Sequence, residues 1–378
     1  SDYTVILGTL LSDGSKVEFN YSDNRQDDVG YPGLKMDITY SDTDMYTFKY
    51  HKVTPFGIFS SINVELFNTE IDHMMDNYTL RGRTMMDMFT TSTSDTYGGR
   101  FIGNIGNTTR AGIDFENNQK DAQQNMEMSN VNSLLAYLWP DVETEKLGIF
   151  FEKDIGNISY GLRYDQVELD PKKAATDPGG MMFKTANEVY ADADSGGYAA
   201  ATKRDYDNFS GFVRLNKNLI GGESYINLSM NERAPDPTEL FNAKWNSDAM
   251  MRHVGNPHLS SEKHITIEVG HEGMIMGSNI KGSVFYNEVD DYITTHRVGD
   301  SGMKARTYKN VDATLYGYEI TANRVVAGID TTLNLNYTRG EDDTQNRALP
   351  QIMPLAGDLT FELKSANSNY GFRINFAD

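Results

Sequence analysis

His73, Met74 and Met75 stand together in a polar stretch, and Met85, Met86 and Met88 follow shortly after. Thioether sulfur is a soft donor that selects Cu(I), and imidazole binds copper in either state. On an extended segment, residues two apart point to the same side. His73 and Met75 can therefore offer two donor atoms to one metal ion. Asp72 and Asp76 beside them fit an outer layer of hydrogen bonds, or simply face water. A site that must release its metal avoids a cage of hard carboxylates. Methionine also fills gaps in protein interiors, so the pattern alone leaves a packing role open. Met126 and Met128, Met181 and Met182, and Met250 and Met251 with His253 and His258 are further groups on expected long loops. They read either as capture points for copper or as mobile loop residues. His264, His271 and His296 fall on or near expected strands, and none has a second ligand at telling spacing.

Other chemistries find less support. The chain has 18 Met and no Cys, which excludes disulfides and thiolate metal sites from it. No G-x-S-x-G, H-E-x-x-H or phosphate-loop pattern occurs. Gly98–Gly99 and Gly179–Gly180 lack the strand-then-helix setting of such loops. Asp290–Asp291 and Asp342–Asp343 read as solvated carboxylates, so no enzyme is expected. A net charge of −20 argues against nucleic acid, which needs Lys and Arg on the contact surface. It suits attraction of cations, or an acidic solvated surface.

The elements that would position these residues are strands. About sixteen runs alternate apolar and polar residues. Leu333, Leu335 and Tyr337 oppose Asn334, Asn336 and Thr338; Ile265, Ile267 and Val269 oppose His264, Thr266 and Glu268. The connections alternate too. Tight turns such as Ser12–Asp13–Gly14, Gly221–Gly222 and Ala327–Gly328 take turns with long polar loops, expected at 72–95, 121–145, 170–205 and 232–262. A meander puts all odd connections at one end and all even ones at the other. An outer-membrane barrel has reason to keep its ends so different, with short periplasmic turns and long external loops.

Hydropathy agrees. The mean hydropathy is −0.53, and no run approaches the length of a transmembrane helix. Barrel strands are apolar only at every second position, so their average looks soluble. Many runs exceed ten residues, nearer the length of a tilted membrane strand than of a soluble one. The 22 Tyr and 18 Phe suit strands and a membrane-interface belt. The expected fold is all-β, an antiparallel transmembrane β-barrel.

Two stretches carry a family resemblance. Asn231-Glu-Arg-Ala-Pro-Asp-Pro-Thr-Glu-Leu-Phe241, with Gly255-Asn-Pro-His-Leu-Ser-Ser-Glu-Lys263, resembles the S-x-R-x-P-x-x-x-E-L-F … G-N-P-x-L-x-x-E segment of TonB-dependent outer-membrane receptors. Tyr308-Lys-Asn-Val-Asp-Ala313 leading into Tyr316-Gly-Tyr-Glu319 is similar to a strand of the same receptors. The resemblance implies a barrel of about 22 strands around an N-terminal plug. Residues 1–378 are then expected to be a partial barrel domain, without the plug, the TonB box and the last strands. The first and last residues both read as strand and Ser1–Leu11 has no basic leader, as an excerpt cut at both ends would.

Within that family, Tyr31-Pro-Gly-Leu-Lys-Met-Asp37, Ile71-Asp-His-Met-Met-Asp-Asn-Tyr-Thr-Leu-Arg81, Thr96-Tyr-Gly-Gly-Arg100 and Arg347-Ala-Leu-Pro-Gln-Ile-Met-Pro-Leu355 resemble the copper-receptor branch. There an H-x-M element on the barrel helps bind copper with a Cys/Met pair from the plug. The resemblance thus assigns His73 and Met75 to the metal, with Met74, Met85, Met86 and Met88 behind them. It implies copper as transported ligand, outer-membrane lipid and the TonB protein as partners, and the outer membrane of a Gram-negative bacterium as location. A receptor of the same architecture for a ferric siderophore or cobalamin is one alternative. A passive porin-like or adhesin barrel is a second, and a soluble carbohydrate-binding β-protein a third.

Overall fold

A computed structural model describes residues 1–53, 55–83, 87–128, 131–179, 184–193, 200–245, 252–298, 305–365 and 368–378. These form a single sheet of nineteen strands. The first ten are β1 (Asp2–Leu10), β2 (Lys16–Val29), β3 (Asp37–Lys52), β4 (Ser61–Asp76), β5 (Asp87–Ile105), β6 (Thr109–Met128), β7 (Val131–Ile155), β8 (Ile158–Pro171), β9 (Arg204–Leu219) and β10 (Gly222–Arg233). Then come the two-residue pieces β11 (Ala243–Lys244) and β12 (His253–Val254). The long strands β13 (Glu262–Ile275), β14 (Ser278–Val298), β15 (Ala305–Val326) and β16 (Ile329–Asp342) follow. The short β17 (Arg347–Ala348) precedes β18 (Ala356–Ser365) and β19 (Ser368–Ala377). Two helices, α1 (Ala186–Ala193) and α2 (Pro237–Phe241), lie in the long connections.

Each long strand pairs antiparallel with the next, the short pieces being skipped, as in β10–β13 and β16–β18. Among the described residues no ladder joins β1 to β19, so the sheet has two edges. The register lines up an apolar face. Leu215, Ile226, Val269, Val284, Tyr318 and Tyr337 stand directly opposite one another across six strands. Leu7, Phe19, Phe48 and Leu66 do so across four. These side chains stay open: Leu7 is 63% exposed and Val284 55%. So large an exposed apolar face needs a cover, and hydrocarbon supplies one.

The opposite face is polar. Glu18, Lys49, Glu65, Arg100 and Asp114 make a row of alternating sign across five strands. Opposite charges facing each other across a ladder stabilise the pair. Arg163 of β8, two residues out of line with the row, reaches back to it and donates to both oxygens of Asp114 at 2.9 Å. It reaches across Gly148, where any Cβ would lie 2.2 Å from the guanidinium. This polar face is the inward one.

Toward the long connections, the outward face passes through tyrosines and then carboxylates. Tyr21 and Tyr46 stack at 4.9 Å and Tyr3 meets Tyr21 edge-on at 5.8 Å. Aromatic rings of this kind mark a membrane boundary. Just beyond them Asp23, Asp44, Glu70 and Asp95 stand opposite one another. Lipid therefore ends near the tyrosines, and the strands run on into water.

That extension corrects two expectations. The stretch 72–95 is not one loop, because β4 continues to Asp76 and β5 begins at Asp87. The stretch 121–145 is mostly strand, in β6 and β7. Above the membrane both faces of a strand meet water or other polar groups. The run Thr90-Thr-Ser-Thr-Ser94 is therefore polar on both sides and shows no alternation to read, although Thr favours strands. The stretch expected as the longest loop, 170–205, holds α1.

The long connections after β8 and β10 fold into a cap with its own core. Leu240, Phe241 and Leu259 pack with Val142, Val167, Leu169, Tyr206 and Ile293. Tyr190 and Val189 of α1 pack with Ala174, Ala243 and Val254, and the Tyr190 hydroxyl donates to the Phe241 carbonyl at 2.8 Å. Arg233 ties the parts together, donating to Glu239 at 2.9 Å and to Glu262 at 2.7 Å. Glu262 also accepts the Ile293 N–H at 2.7 Å, beside the irregularity between Val289 and Tyr292. Asp236 accepts from the N–H groups of Thr238 and Glu239 and so starts α2. At Gly255 a Cβ would lie 2.5 Å from the Leu240 carbonyl carbon and oxygen.

Gly255→Ala is accordingly expected to push the two cap segments apart, a loss of about 1–3 kcal/mol. Urea unfolding of the full-length receptor in detergent should show a lower midpoint for this variant. An unchanged midpoint would mean that the close approach has no energetic weight.

Candidate metal centre

The site is built on the far ends of β3 to β6. On β4 the outward positions are apolar at Ile62, Val64 and Leu66 and polar from Asn68 to Asp72. His73 and Met75 occupy the alternate positions and so face inward, beyond the lipid-covered part of the strand. Both are half-buried. His73 stands opposite Ser92 and Met75 opposite Thr90 on β5. The Ser92 hydroxyl lies 3.2 Å from His73 Nδ1, which orients the ring. Burial pushes the His73 imidazole below its ordinary value, against the smaller opposite pull of Asp72. The ring is then neutral at pH 7, the form that binds metal.

Three more thioethers share this face. The Thr90 hydroxyl contacts Met36 Sδ at 3.8 Å, which places Met36 over the residue that pairs with Met75. Met88 is two residues along β5 from Thr90, about 7 Å away, on the same side. Met126 of β6 stands directly opposite Met88. Met74 points the other way, between Tyr40 and Thr91, and does not join this group. Met85 and Met86 lie outside the described residues, as do Met181, Met182, Met250 and Met251. Met128 is at the open end of β6, 61% exposed. Among the described residues no three His, Asp or Glu side chains come together as a metal site.

Met36 was not legible from the sequence, because its place depends on a contact distant along the chain. Arg81 donates from Nε and Nη2 to the two carboxylate oxygens of Asp37 at 2.5 and 2.6 Å. It also donates to the carbonyls of Leu34 and Tyr31 at 2.7 and 2.9 Å. The connection before β3 is thereby stapled to the one after β4. The nearly buried Asp76 closes the second connection, accepting from the N–H groups of Tyr78 and Thr79 at 3.1 and 2.9 Å. The two stretches singled out by residue pattern, 31–37 and 71–81, thus hold each other and frame the thioethers.

The remaining histidines take other positions. His264 faces inward between Asn287 and Glu262, at 3.1 and 3.4 Å. His271 lies 2.9 Å from the Ser224 hydroxyl, and His253 stacks on Tyr308 with ring centres 5.4 Å apart.

The model of the family described as "TonB dependent receptor-like, beta-barrel" matches residues 3–377. The chain belongs to the TonB-dependent receptor family. As a receptor barrel of this family it is a protein of the Gram-negative outer membrane. Solved structures agree on the fold. The copper transporter OprC superposes with a TM-score of 0.81 at 20% identity, over 99% of this chain and 57% of that one. The hemophore receptor HasR of Serratia marcescens, solved as a double mutant with its hemophore HasA and heme, gives 0.67 at 15%, over 100% and 63%. The siderophore receptor PiuA of Acinetobacter baumannii gives 0.61 at 14%, over 100% and 64%. The chain thus spans less than two thirds of the length of these receptors. No curated protein sequence matches it. The family motifs at 231–241 and 255–263 turn out to be cap architecture, since Arg233, Glu239, Gly255 and Glu262 hold segments together.

The staple is expected to be acid-labile. The Arg81 guanidinium, with the Tyr31 N–H, holds the Asp37 carboxyl down to about 2. A depressed carboxyl contributes stability above its ordinary value, and that contribution is lost as pH falls through the depressed one. Hydrogen exchange at the Tyr31 N–H should stay slow down to about pH 4 and speed up toward about pH 2. Arg81→Ala should move that acid step up toward the ordinary carboxylate range, because only the Tyr31 N–H then holds the carboxyl down. A variant with the same profile would show that Arg81 does not hold the loop.

Proposed function

We propose that this chain is the barrel part of an outer-membrane transporter that takes up copper. The observation that carries the reading is the inward face shared by His73, Met75, Met36, Met88 and Met126 at the mouth. Neutral imidazole with thioethers is a soft donor set suited to Cu(I) and poorly suited to ferric iron. The family match supports transport, and the likeness to a protein named as a copper transporter supports the cargo. In this reading the edges β1 and β19 pair with further strands of a complete receptor. A plug inside that barrel carries the contact with TonB, and the energy from TonB drives release. His73 and Met75 hold the ion; Met36, Met88 and Met126 hand it on with weaker single contacts.

A second reading, uptake of a ferric siderophore or another metal chelate, draws on the likeness to siderophore and hemophore receptors. It makes no use of His73 or Met75. Metal content separates the two. Full-length protein incubated with copper under reducing conditions should retain it through desalting, and the His73→Ala/Met75→Ala double variant should lose at least about tenfold in affinity, the effect of about 1.4 kcal/mol. Equal copper in both proteins would remove these residues from the site. Tight binding of a ferric chelate without copper retention would favour the second reading.

A further inference from the structure

The cap carries a concentration of positive charge that nothing above uses. The chain has 34 Lys and Arg against 54 Asp and Glu, so a cation here has carboxylates to spare as partners. Lys244 and Arg306 are exposed, and among the described residues neither makes an ion pair. They are nonetheless held close. Lys244 stands opposite His253 and His253 opposite Arg306, in one row across β11, β12 and β15.

Buried nitrogens beside the row also lack partners. Among the described residues, His253 Nε2 and the Trp245 indole N–H are shielded from water and make no hydrogen bond. The platform under them is rigid. Ala243 and Val254, the neighbours of Lys244 and His253, are fully buried in the small core with Tyr190. The row is therefore pre-organised, with its charged ends open to solvent and its centre half-buried against the Tyr308 ring.

We propose that Lys244, His253 and Arg306 form an anion site in the external cap that takes a phosphate group. Lys supplies a compact positive charge, and the Arg fork matches two oxygens of one phosphate. The phosphate belongs either to a soluble phosphorylated molecule or to a lipid headgroup of the surrounding leaflet. Neither source is copper, so this site and the metal centre stand or fall separately.

The test uses full-length receptor in detergent, with inorganic pyrophosphate as one probe and phosphatidic acid against phosphatidylcholine as the other. Calorimetry reads the first, and native mass spectrometry counts retained lipid for the second. The Lys244→Ala/Arg306→Ala variant is compared with wild type and with Lys281→Ala, an exposed cation near a tight turn. Circular dichroism and an unchanged urea midpoint check that each variant is folded. Pyrophosphate binding that weakens at least about tenfold in the double variant alone supports the site and a soluble ligand. Phosphatidic acid retention lost in the double variant alone supports the site and a lipid source. Absence of binding by both probes, or equal binding by the double variant, overturns it.

Discussion

Hydrocarbon offers no hydrogen bonds, so every backbone group that crosses it must be paired within the protein. In this chain the ladders do that pairing, and the two-residue period then decides what each side chain meets. The apolar set looks outward into lipid and the polar set looks inward. The row Glu18, Lys49, Glu65, Arg100 and Asp114 is where this constraint is most visible. Its alternating signs reward a single register, since a slip by two residues along any strand would set other residues against these charges. The outward rows fix the same register by shape. Alignment therefore does not depend on a dry central core, which this sheet does not have between its faces.

Packing of the familiar kind is confined to the cap. There Leu240, Phe241 and Leu259 bury themselves against β7, β8 and β9, and Tyr190 closes a second small core. Arg233 and Glu262 connect this cap to the barrel strands. The cap is thus a folded unit standing on the sheet and not a set of free loops.

Much of this could be read in the residues, and the boundary of what could is physical. Where one face meets lipid, as at Leu333, Leu335 and Tyr337, alternation is clear and strands are legible. Above the membrane that contrast fades, so the ends of β4 to β7 looked like loops. The tight turns and the polar inward face were plain. His73 and Met75 could be named from their spacing and from the family resemblance, although the stretch that holds them read as loop and proves to be the end of β4. Met36 and Met126 reach the same place through Arg81–Asp37 and through strand pairing, and neither is local in sequence. Met74 shows the converse: adjacency in the chain put it next to the site, and the pleat turned it away.

Because the His73–Met75 pair sits on a strand and not in a free loop, its orientation obeys parity. Inserting one residue between Leu66 and His73 would turn both side chains to the outer face and bring Met74 inward. Inserting two would keep them inward and lift them by about 7 Å. Length changes in this arm that keep the pair inward must therefore come in even steps, or be absorbed by a bulge such as the one between Ile38 and Tyr40.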